Sequence, residues 1–85
     1  MQIYYSSKFE REYRRLPRKI KVMAQEKEQQ FRDNVFGSSL DTHKLGGRLK
    51  GFWAFSIGQK YRIIFEFGKN DVIWFHSVGD HSIYL

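Results

Sequence analysis

Tyr61-Arg62-Ile63-Ile64-Phe65-Glu66-Phe67, bounded by Gly58-Gln59 on one side and Gly68-Lys69-Asn70 on the other, is the stretch whose reading decides the fold. Its aromatic and β-branched residues between glycine-containing breaks read as a strand. Strand alternation puts Tyr61, Ile63 and Phe65 on one face and Arg62, Ile64 and Glu66 on the other. The runs Phe52–Ile57 and Val72–Ser77 have the same character. Joined to the central run by short breaks, they give two consecutive antiparallel hairpins. If helices cover the first face, Arg62 looks out from the opposite one.

Helical periodicity precedes this region. Gln2–Tyr5 is a short β-prone run, and Ser7 with Glu10 three residues on carries the capping-box signature of a helix start. Phe9, Tyr13 and Leu16 follow at helical spacing until Pro17, which is tolerated only where a new helix begins. A second helix is expected from about Arg18 to Val35, with Ile20, Met23, Ala24, Phe31 and Val35 on one stripe that Lys27 interrupts, closed by Gly37-Ser38-Ser39. The expected order is β-α-α-β-β-β over residues 1–85. This is a small single α+β domain, two N-terminal helices packed on one face of an antiparallel sheet.

A chain of 85 residues must fold around a small, dense core, and eight Phe, five Tyr and two Trp can supply it. Trp53, Phe55 and Trp74 accordingly read as core residues rather than surfaces for RNA. With no cysteine there is no disulfide framework and no thiolate metal site. The N-terminal Met-Gln-Ile-Tyr-Tyr-Ser-Ser lacks a signal peptide's apolar segment, and no run approaches the roughly 20 apolar residues of a membrane span. A soluble, cytoplasmic protein is expected.

The formal charge of +6 favours a polyanionic or acidic partner. Much of the excess lies in Arg11, Arg14, Arg15, Arg18, Lys19 and Lys21, against Glu12 alone. These read either as a solvated helical face or as a docking surface for RNA or an acidic protein. A basic membrane-surface helix is the poorer third option, because the first helix is short and has few aromatics on one face.

Few residues are equipped for chemistry. The acids show no paired spacing of the kind a glycosidase or a metal-dependent nuclease uses. The three histidines, His43, His76 and His81, have no zinc-ligand spacing, so neither a metal nor another cofactor is expected. His76, inside a strand, reads as a hydrogen-bonded structural imidazole. His43 and His81 lie in polar, loop-like segments where an imidazole is accessible. Gly46-Gly47 lacks phosphate-loop spacing and reads as a flexible turn, though Lys44, Arg48 and Lys50 place positive charge beside His43.

Lys44-Leu45-Gly46-Gly47-Arg48-Leu49-Lys50-Gly51-Phe52-Trp53, then Tyr61-Arg62-Ile63-Ile64-Phe65, then Ser77-Val78-Gly79-Asp80-His81 together resemble the RelE/ParE toxin superfamily of type II toxin–antitoxin modules. The ending Gly79-Asp80-His81-Ser82-Ile83-Tyr84-Leu85 is similar to the YafQ-like branch in particular. The resemblance spans nearly the whole chain and rests on the order and spacing of short motifs.

The resemblance implies a toxin, most often an endoribonuclease that cuts mRNA on the ribosome, held inactive by an acidic, partly disordered antitoxin. It assigns Arg62 as clamp on the scissile phosphate and His81 as general acid, with His43 the candidate general base. Lys60, Lys50, Arg48 and Lys44 would bind RNA, and Tyr84 or Leu85 would form a base-stacking floor. Several RelE-type enzymes carry basic residues along the strand corresponding to Trp53–Ile57, where this chain has Ala54 and Ser56. Where the YafQ-like branch has a histidine and an aspartate, Ser56 and Lys60 stand. Two alternatives remain open: a ParE-type inhibitor that binds DNA gyrase, and a basic RNA- or protein-binding module without turnover.

Overall fold

The computed structural model describes residues 1–84, so the stacking role expected for Leu85 lies outside the described residues. The elements are β1 (Gln2–Tyr5), α1 (Ser7–Arg14), α2 (Arg18–Asp33), β2 (His43–Lys44), β3 (Trp53–Ile57), β4 (Tyr61–Phe67) and β5 (Val72–Gly79). Single 3-10 turns cover Ser38–Leu40, Gly47–Leu49 and His81–Tyr84. The α+β class, the tandem helices and the two hairpins stand as expected.

The sheet, in the order β1-β5-β4-β3-β2, is mixed rather than antiparallel throughout. Strand β1 pairs parallel with β5, Tyr4 opposite Trp74. The helical hairpin intervenes between β1 and the rest of the sheet, and so long a connection frees β1 from the antiparallel pairing a tight turn imposes. The two-residue strand β2 was not expected, since two residues cannot display a period-two pattern. Helix α1 is capped by Ser6 instead of Ser7: the Ser6 Oγ accepts from the Phe9 amide at 3.0 Å and donates to the His76 carbonyl at 2.9 Å. One hydroxyl thus starts the helix and ties it to β5.

The core lies between the helices and one sheet face. Phe31 of α2, fully buried, packs against Phe55, Phe65 and Phe75 with ring centroids 4.7, 4.9 and 5.4 Å away. Ile63 and Phe65 belong to this cluster, as the alternation of β4 requires. Trp53 packs partly buried against its edge. Trp74 departs from expectation: it is 38% exposed on the opposite face.

Between β4 and β5 the register passes from Ile64–Ser77 to Phe65–Phe75, leaving His76 as the extra residue of a β-bulge. Glu12 of α1 closes this irregularity, accepting from the Ser77 hydroxyl at 2.8 Å and the Val78 amide at 3.1 Å. The lone acid of the basic segment is therefore a structural bracket. Among the described residues no helix is long and apolar enough to cross a membrane.

Candidate active site

The helix-free face carries Arg62, Ile64 and Glu66 of β4 and, by cross-strand pairing, Ser56 and Ala54 of β3 and His43 of β2. Arg62 stands opposite Ser56 on one side and Gly79 on the other. Its guanidinium donates to the carbonyls of Gln59 at 3.1 Å and Tyr61 at 2.9 Å. None of the ion pairs among the described residues involves it. An arginine anchored by neutral carbonyls keeps its full charge and the rest of its donor fork for a ligand.

Gly79 is what lets the C-terminal turn reach this arginine. A Cβ there would meet the Ile83 side chain at 2.6 Å, so only glycine allows Ile83 to settle on the end of β5. The chain then turns through Asp80, whose carboxylate accepts from the Ser82 hydroxyl at 2.6 Å and amide at 3.0 Å. Those two bonds, with smaller help from His81 and Lys60, hold the Asp80 carboxyl below its usual range. The turn delivers His81, exposed, and Tyr84, half-buried, with the ring of one edge-on to the other at 5.0 Å.

The Tyr84 hydroxyl is buried without a hydrogen-bond partner. Burial raises the phenol above its usual range; the nearby charge of Arg62 opposes this and that of Asp41 adds to it. Tyr84 therefore lies within the fields of both Arg62 and Asp41. The Asp41 carbonyl contacts His43 Nδ1 at 2.8 Å. Asp41 itself is left-handed (φ 50°), a conformation Asp tolerates, and this turns the chain into β2.

The expected site residues do not all converge. His81 and Tyr84 meet ring to ring, and Tyr84 lies within the field of Arg62; Lys60 and His81 border a shallow depression with Gln59, Asp80 and Ser82. His43 is exposed on the same face, two strands and two residues along from Arg62, about 12 Å between Cα atoms by strand spacing. Lys44 turns the other way, its ammonium 5.5 Å from the ring centre of Trp53. Lys50 accompanies Lys44 in a cleft with Phe52 and Trp53, and Arg48 is exposed in the adjoining turn. His76 is the hydrogen-bonded imidazole expected of it, with Nε2 2.7 Å from Glu66. Sequence reasoning missed Gly79 and Ser6, whose signals, a glycine where a strand meets a turn and a serine before a helix, were present but were assigned elsewhere.

A family model for the ParE toxin of type II toxin–antitoxin systems matches residues 3–84. The chain belongs to the ParE toxin family. Its fold is that of the wider RelE/ParE group. YafQ from Escherichia coli BL21(DE3) superimposes with a TM-score of 0.81 at 15% identity, over 99% of this chain and 97% of that one. A YoeB/ParE toxin from Agrobacterium tumefaciens gives 0.79 at 14% identity, over 95% and 99%. RelE in the RelB–RelE antitoxin–toxin complex from Methanococcus jannaschii gives 0.73 at 23% identity, over 94% and 93%. No curated protein sequence matches significantly. This ParE-family toxin thus shares its overall fold with the YafQ and RelE structures.

Proposed function

We propose that this toxin is a metal-independent endoribonuclease that cleaves mRNA on the ribosome in the cytoplasm. The observation that carries the reading is Tyr84, ring to ring with His81 and within the field of Arg62, an arginine in no ion pair among the described residues. Binding alone has no need of an imidazole beside a phosphate-binding arginine. The absence of paired carboxylates in the sequence leaves acid–base attack by the substrate's own 2′-hydroxyl as the consistent route.

In this mechanism His43 accepts the proton of the 2′-hydroxyl, and the resulting oxygen attacks the adjacent phosphorus. Arg62 stabilises the charge that builds on the phosphorane, an effect that in comparable sites supplies about 10²–10³ in rate. His81 gives a proton to the departing 5′-oxygen, worth roughly 10²–10⁴. The P–O5′ bond breaks, leaving a 2′,3′-cyclic phosphate and a 5′-hydroxyl. The separation of His43 from Arg62 leaves room for a ribose and its phosphate between them. Lys60 adds charge at the His81 end.

The ParE family match favours a second reading, inhibition of DNA gyrase by binding. In either case a cognate acidic antitoxin is expected, as RelB accompanies the archaeal RelE, and its association with a +6 toxin weakens as salt rises. Induction of the wild type, Arg62→Ala and His81→Ala in a bacterial host, scored for growth arrest, tests the nuclease. Arrest should vanish in both variants, and unchanged arrest in both contradicts the reading. A gyrase supercoiling assay tests the second reading directly.

A further inference from the structure

Tyr4 and Trp74 are 44% and 38% exposed; Phe36 and Phe67 are also exposed but lie against Trp53 on the helix side of the sheet. Their rings stack on each other at 4.9 Å between centroids and 27° between planes. The pairing of Tyr4 with Trp74 across the parallel ladder, and of Trp74 with Glu66, puts both rings on the face that carries Arg62. Arg62 and Glu66 stand four positions apart on β4, about 14 Å along the strand.

A cleft of about 290 Å³, lined by Lys8, Leu49, Phe52, Ile64, His76 and Ile83 among others, lies over Ile64, the β4 residue midway between Arg62 and Glu66. Glu66 lies beside Trp74, its carboxylate held by His76. Positive charge is thus supplied at the Arg62 end, while Lys8 midway is paired with Glu12 at 3.9 Å and the Trp74 end offers an aromatic surface beside an acid. That pattern repels a phosphate from the far end and leaves it to a base.

We propose that Trp74, backed by Tyr4, is a stacking platform for a base of single-stranded RNA whose scissile phosphate sits at Arg62. The inference rests on the RNA-cleaving reading and extends it by a subsite. Stacking on an exposed ring is worth about 1–3 kcal/mol per base and tolerates any sequence, since every base has a π face. The platform fixes where the strand lies without choosing the base.

Trp53 is the other tryptophan and packs on the opposite face, so Trp53→Phe leaves Trp74 as the sole indole reporter. That variant is titrated with a short 2′-O-methyl oligoribonucleotide, which cannot be cleaved, following indole fluorescence and oligonucleotide anisotropy together. Saturable quenching of Trp74 is expected, and Trp74→Ala in the otherwise natural chain should weaken binding about 5- to 150-fold. Binding that depends on Arg62 but neither quenches Trp74 nor weakens in Trp74→Ala overturns the platform and leaves the nuclease reading standing. No binding of the oligonucleotide to any variant overturns the platform alone, because the nuclease reading places cleavage on the ribosome and is decided separately by the growth-arrest variants. Quenching by an acidic peptide but not by RNA overturns the platform in favour of a protein-docking surface.

Discussion

The ring of His81 meets the ring of Tyr84 edge-on at 5.0 Å, while the Tyr84 hydroxyl lies buried with no hydrogen-bond partner. An unpaired buried hydroxyl costs stability that an apolar ring would not. Tyr84→Phe is therefore expected to stabilise the fold by about 1 kcal/mol, raising Tm by roughly 4–8 °C for a domain of this size. If the hydroxyl serves RNA, the same variant loses cleavage as it gains stability. Calorimetry and a cleavage assay on one preparation check both.

Gly79→Ala is expected to be harmful out of proportion to its size. The added methyl would lie 2.6 Å from the Ile83 side chain, pushing the turn that holds His81 and Tyr84 away from Arg62. Circular dichroism should report a folded sheet while cleavage falls at least tenfold. Native activity in this variant would show that the turn need not close on β5.

Glu12 offers a test of the bulge. Its carboxylate satisfies the Ser77 hydroxyl and the Val78 amide, so Glu12→Ala leaves two part-buried donors unpaired and should cost about 1–3 kcal/mol in urea unfolding. Glu12→Gln keeps an acceptor oxygen and should cost less than Glu12→Ala. Equal losses would count against the bracket.

Two tyrosines set the alkaline limit. Burial raises the Tyr84 phenol, and burial followed by the hydrogen bond to Glu28 raises that of Tyr5. A group whose pKa is higher folded than unfolded holds its proton longer in the native state, so its stabilising contribution is complete below the unfolded value of about 10 and is lost as pH rises through the folded value. Stability should fall above that point. In the double variant Tyr5→Phe, Tyr84→Phe the fall should be shallower, as followed by chemical unfolding across the alkaline range.

Much of the fold could be read from the chain because its patterns are long. The seven residues of β4 show alternation, and the stripe from Ile20 through Phe31 shows helical period, each fixed by burial against the same core. The direction of β1 was not legible: alternation is identical for parallel and antiparallel strands, and the partner was chosen by the helical hairpin. The site was legible in part. Arg62 and His81 carry their own chemistry, but the turn that brings Tyr84 and His81 to the end of β5 depends on Gly79 and Ile83, whose types announce only a turn and an apolar residue. Trp74 was assigned to the core because aromatic residues in strands usually are buried; its stacking on Tyr4 depends on the parallel pairing of β1.

The most direct test of the account is the chemistry of the cut. Purified toxin is incubated with ribosomes and a translated mRNA, then with the RNA alone, each with and without a metal chelator compatible with ribosome integrity, and the product ends are identified. The account expects cleavage in the translated sample that survives chelation, yields 2′,3′-cyclic phosphate and 5′-hydroxyl ends, and is lost in Arg62→Ala and His81→Ala. Ends bearing a 5′-phosphate, or intact mRNA from a toxin that arrests growth and inhibits gyrase, would contradict it.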